Sequence, residues 1–128
     1  MDGKNVSLTG AEWNVMETLW EHSPKTGREV ADRLAETVGW SRTTALTMLG
    51  RMEKKGLVAC DDSGKKLTYR PMLERTKAVR RETESFLSRV YRGSIRELMH
   101  CLTQQAPLTD SDLDELYAIL DEAKERRK

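Results

Sequence analysis

Within "GWSRTTALTMLGRMEKKG", residues 39–56, three threonines and two cations fall to one side of a helical wheel. At about 3.6 residues per turn, Thr43, Thr47, Arg51 and Lys54 share a face, with Thr44 on its flank. Short hydroxyls can hydrogen-bond base edges or phosphate oxygens, and a threonine methyl can touch the methyl of thymine. Arg51 and Lys54, toward the C-terminal end, suit phosphates. Threonine is a mediocre helix former, so local propensity does not account for the pattern. The simpler alternative is a solvated face whose threonines bond back to their own helix. The opposite positions, Ala45, Met48, Leu49 and Met52, are apolar and read as core.

The surrounding elements weigh between these readings. A first helix is predicted from "LTGAEWNVMETLW", with Thr9 and Glu12 at capping-box spacing. Ala11, Val15 and Leu19 form one apolar stripe and Trp13, Met16 and Trp20 a second, which implies burial on more than one side. A second helix starts at Thr26, again with a capping box to Glu29, and turns Val30, Ala31 and Leu34 inward until Gly39. The third helix is capped by Ser41 and stopped by Gly56. In "LVACDDSGKKLTYRPM" two strand-like runs flank a Ser-Gly turn, giving a β-hairpin with Lys65 and Lys66 at its tip, closed by Pro71.

Three capped helices followed by a basic hairpin is the order of a winged helix-turn-helix. There the third helix enters the major groove and the hairpin tip reaches the backbone or a minor groove. Amides at the start of the second helix, near Thr26, could take a phosphate.

Beyond Pro71 the chain is helical in composition but thin in apolar residues. Phe86, Leu87 and Val90 end one helix before the break at Gly93-Ser94. Ile95, Leu98, Met99 and Leu102 mark a second helix. Thr109 and Asp112 cap a last one, whose stripe is Leu113, Leu116, Tyr117 and Leu120. This is too little for a comfortable independent core, so a second copy of the chain is expected to complete it. The expected fold is therefore mainly α with a small β-hairpin. A winged helix-turn-helix DNA-binding domain covers residues 1–72, and a helical dimerisation domain covers residues 73–128.

Composition bounds the alternatives. The 128 residues suit one domain, or one small domain with an extension. The net charge of +1 excludes a uniformly basic coat, so any nucleic-acid site must be focused. Residues 25–66 hold nine Lys/Arg against six Asp/Glu. Near-neutral charge also leaves room for a rival reading, a winged-helix protein-interaction adaptor without specific DNA binding.

Cys60 and Cys101 form no CxxC pair, which argues against a zinc ribbon or a redox motif. No apolar run approaches about 18 residues, and the N-terminus has no signal-peptide core, so a reduced, cytoplasmic protein without membrane insertion is expected. His100 and Cys101 point about 100° apart on a helix, poor geometry for one ion. No metal, no cofactor and no catalytic constellation is expected. Cys60 reads as a small packing residue, with a redox-sensitive thiol as the alternative. Arg80, Arg81, Arg89, Arg92 and Arg96 could serve DNA electrostatics, dimer salt bridges or a solvated face.

The motifs "LTGAEWNVMETLW", "WSRTTALTMLGRMEKKGLV" and "GKKLTYRPM" resemble the penicillinase-repressor (BlaI/MecI/CopY) family of bacterial transcriptional repressors over residues 7–72, and more loosely beyond. The resemblance implies a homodimer that blocks transcription from a palindromic double-stranded operator. Carried over by residue, it places DNA reading on Arg42, Thr43, Thr44 and Thr47, and backbone contacts on Arg51, Lys65 and Lys66. It also raises a membrane sensor protease as a partner. Members that answer β-lactams are cut at an Asn-Phe bond in the penultimate helix, where this chain has Cys101-Leu102. Copper-responsive members carry a paired CxC near the C-terminus, which this chain lacks.

Overall fold

The computed structural model describes residues 7–105 and 107–128. In chain order the elements are α1 (Gly10–Glu21), β1 (Lys25–Thr26), α2 (Gly27–Val38), α3 (Arg42–Lys54), β2 (Val58–Asp61), β3 (Thr68–Pro71), α4 (Arg75–Tyr91), α5 (Ile95–Gln105) and α6 (Asp110–Arg126). They form two compact units, Met1–Ser85 and Phe86–Lys128.

In the first unit, local chemistry fixes where each helix starts and stops. Thr9 and Thr26 each accept the amide three residues on, and Glu12 and Glu29 accept the cap amide in return. Both boxes satisfy donors that a helix start leaves without partners. α2 ends at Gly39 in the left-handed conformation (φ 71°). At the end of α3, Gly56 (φ 81°) donates to Glu53 O and Leu57 donates to Met52 O, a Schellman arrangement.

The helices bury one cluster: Val15, Met16 and Leu19 of α1, Val30, Ala31 and Leu34 of α2, and Ala45, Leu49 and Met52 of α3, with Leu57 and Val58. Each large aliphatic side chain so buried contributes about 1.5–3 kcal/mol. The second stripe of α1 is covered as its breadth requires. Trp20 packs on the cluster, meets Trp13 edge-on at 5.4 Å, and donates from Nε1 to Leu73 O at 2.8 Å. Arg75 at the start of α4 pairs with Glu17, and Ala78 is buried. The first unit thus runs past residue 72, through the first half of α4.

The hairpin is part of a larger sheet than the sequence suggests. Its three antiparallel strands are ordered β1-β3-β2, with Cys60 opposite Tyr69 and Thr26 opposite Thr68. β1 is not foreseen by the sequence reading, because two residues carry no period to read.

In the second unit, Gly93 (φ 83°) separates the end of α4 from α5, and Thr109 with Asp112 forms a third capping box before α6. Neither α5 nor α6 contains a buried residue. Of the apolar side chains expected to pack, Leu87, Leu98, Met99 and Leu116 are half-buried. Phe86, Val90, Ile95, Leu102, Leu113, Tyr117 and Leu120 are exposed, as is Ile119, which the predicted stripe omitted.

Candidate nucleic-acid interface

Ser41 sets the first turn of α3: its Oγ accepts the Thr44 amide at 3.2 Å and donates to Thr44 Oγ1 at 3.0 Å. Ala45, Leu49 and Met52 have no exposed surface, and Met48 packs partly against the same cluster. With that face pinned inward, Arg42, Thr43, Thr44, Thr47, Arg51 and Lys54 are all exposed on the rest of the helix. The Thr44 hydroxyl is therefore oriented by the cap, whereas Thr43 and Thr47 stand in the outward row. Arg51 and Lys54 occupy the last turn, where cations also complement the helix dipole.

Lys65 and Lys66 lie in the exposed turn between β2 and β3. Asp61 Oδ1 accepts the Ser63 amide at 2.9 Å and shapes the start of that turn. Thr26 is placed differently from the lysines and threonines. Its amide donates to Glu29 and its hydroxyl accepts from Glu29, so both polar groups serve the capping box. The Thr26 amide holds the Glu29 carboxyl below its usual range, with Lys25 and Lys66 adding to the shift. That long-range effect brings the wing lysine into the neighbourhood of the α2 start.

Part of the positive charge of the unit is held in ion pairs. Arg33 pairs with Glu21, Lys55 with Glu12 and Arg75 with Glu17. Among the described residues no ion pair engages Arg42, Arg51, Lys54, Lys65 or Lys66. Cations outside any ion pair, on one helix face and one turn, are available to a polyanion, as are Lys25, Arg28, Lys77 and Arg80 elsewhere in the unit.

The two cysteines are half-buried. Burial, with Glu53 adding, pushes the Cys60 thiol up against a hydrogen bond with Tyr69, which disfavours the thiolate. Cys101 hydrogen-bonds with Tyr91, which raises the pKa of that tyrosine.

Leu46 went unnoticed in the sequence. It is an exposed apolar residue on α3, one turn after Arg42 and Thr43. Its signal was an apolar position outside the core stripe, visible only once the helix is oriented.

Comparisons with known proteins bear on the family and the fold. Residues 8–122 match the family model described as penicillinase repressor. The penicillinase repressor of Bacillus licheniformis is 33% identical over 125 residues, covering 98% of each chain. The methicillin resistance regulatory protein MecI of Staphylococcus aureus (strain N315) is 25% identical over 120 residues, covering 94% of this chain and 98% of that protein. Among solved structures, the Bacillus licheniformis BlaI monomeric form in complex with the blaP half-operator matches with a TM-score of 0.52 at 33% identity, over 57% of this chain and 89% of that one. The DNA-binding domain of the repressor BlaI matches with a TM-score of 0.51 at 32% identity, over 60% of this chain and 93% of that one.

Proposed function

The chain belongs to the penicillinase repressor family, and on that premise we propose that it is a sequence-specific DNA-binding transcriptional repressor acting as a homodimer on a palindromic operator. The observation that carries the reading is the outward face of α3. It sets short hydroxyls and cations without internal partners on the fold whose solved relative is held in complex with a half-operator. In this reading Arg42, Thr43, Thr44 and Thr47 meet base edges, while Arg51, Lys54, Lys65 and Lys66 meet phosphates. Because Thr26 is committed to its cap, a phosphate at the α2 start would be met by the amides beyond it.

A half-operator is what one copy of the relative meets, so a complete palindrome calls for two copies. Residues 1–72 supply the DNA contacts in this scheme and residues 73–128 join the copies through the apolar positions from Phe86 to Leu120. No described helix is long and apolar enough to cross a membrane; the protein acts in the cytoplasm, where its DNA is. A membrane sensor protease enters the reading through the family resemblance. The Cys101-Leu102 bond lies inside α5, so cutting there requires that turn to unwind first.

The test is binding to the DNA upstream of the protein's own gene, followed by fluorescence anisotropy at several salt concentrations. Thr47→Leu is expected to lose sequence preference by about 1–3 kcal/mol per lost base contact. Lys65→Ala is expected to weaken all sequences alike and to reduce the salt slope by about one. Free replacement of Thr43, Thr44 and Thr47 together, with operator choice unchanged, would show that α3 does not read sequence through this face.

A further inference from the structure

We infer that Leu46 is itself a base-reading residue, whose isobutyl group takes the C5 methyl of a thymine in the operator. This rests on the reading of α3 as the helix that enters the DNA groove, and it adds an apolar contact to a face otherwise described by hydroxyls and charges. Leu46 is 41% exposed, a large aliphatic side chain on the solvent side of a helix whose apolar stripe is already complete. Arg42 and Thr43 precede it by one turn and Gly50 follows by one turn, so it lies within the proposed contact face and not behind it.

Two glycines define its setting. A Cβ placed on Gly27, the first residue of α2, would come within 3.1 Å of Leu46 Cδ2 and 3.6 Å of Tyr69 Cε1. The leucine is thus seated against the α2 start, and a side chain at residue 27 would require its Cδ2 to give by a few tenths of an ångström. On its other side, a Cβ on Gly50 would meet nothing within 4 Å. A mid-helix glycine is about 1 kcal/mol less favourable than alanine, and here no internal packing requires it. It leaves the flank of Leu46 without a screening side chain, open to whatever lies against the helix.

The chemistry of the groove then selects the ligand. Among base edges in the major groove, the thymine methyl is the apolar group, and it distinguishes thymine from cytosine and from uracil. A leucine braced from behind and open in front can bury that methyl without first giving up a hydrogen bond. Polar side chains can tell thymine O4 from the cytosine amino group, but only an apolar contact tells thymine from uracil.

The experiment uses the full chain and the tightest-binding duplex recovered from the DNA upstream of its own gene. Each thymine in a half-site is replaced singly by deoxyuridine, which removes only the C5 methyl. For the wild-type protein, one position per half-site is expected to show binding weaker by roughly three- to tenfold. In Leu46→Ala that step should vanish, so that thymine and deoxyuridine at this position bind alike. Gly27→Ala, which crowds the leucine by a few tenths of an ångström without removing it, should change the same step by less than Leu46→Ala does. Circular dichroism and melting confirm that each variant is folded.

Wild-type protein that selects its duplex but keeps every uridine effect when Leu46 is replaced overturns this inference alone. Wild-type protein with no preference for its duplex over random DNA overturns the DNA reading, and this inference with it.

Discussion

Glu12 closes the capping box of α1 by accepting the Thr9 amide at 2.9 Å, and it also takes the ammonium of Lys55 from the end of α3. Its side chain is 3% exposed. Burial alone would raise its pKa, but the hydrogen bonds from Lys55 and Thr9 outweigh burial and hold the carboxyl below its ordinary value of 4.5. A carboxyl whose pKa is lowered by folding contributes stability that is fully present above its unfolded value and is lost as pH falls through the lower folded value. Lys55→Met leaves this carboxylate buried with Thr9 as its remaining support. Denaturant titration should then show a loss of about 1–3 kcal/mol at neutral pH, shrinking as pH falls through the carboxylate range. The Thr9–Glu12 half of the arrangement was legible in the sequence because its partners sit three residues apart. The Lys55 half was not, because its partners are 43 residues apart and no local period links them. The same division runs through the candidate site. Thr43, Thr47 and Arg51 follow from helical spacing, whereas the seat of Leu46 depends on residue 27 of another helix.

At the scale of elements, the start and stop of α3 were readable because Ser41 and Gly56 act locally. Gly56 has φ 81° and open space around a would-be Cβ, so its requirement for glycine is conformational, not steric. Gly56→Ala is expected to cost about 1–2 kcal/mol, measured as a lowered melting temperature. Operator preference should be unaffected, since the outward face of α3 is unchanged. The wing was readable from its turn and its flanking β-formers, but the third strand was not. Thr26 announces a helix cap in sequence; that it also faces Thr68 across a strand pair is decided by tertiary packing. That pairing ties β3 of the wing to the N-cap of α2, so a shift in either should be felt by the other.

At the scale of the whole molecule, the apolar residues of α5 and α6 were legible as stripes, but what covers them depends on a partner that one sequence does not describe. Ile95, Tyr117, Ile119 and Leu120 are each more than half exposed, at 62%, 69%, 57% and 60%. Sedimentation equilibrium at micromolar concentration should find two chains. The double variant Tyr117→Glu, Leu120→Glu should shift the protein to one chain and weaken operator binding by at least about tenfold, through loss of the linked second half-site. A clean monomer that holds the full operator as tightly as the wild type would contradict the dimer. If the chain works as the proposed pair, it would also be a gauge of its own abundance. Where single chains predominate, the number of pairs rises with the square of the number of chains made. In that scheme a modest fall in synthesis would empty the operator out of proportion, and the gene under it would open over a narrow range of dose.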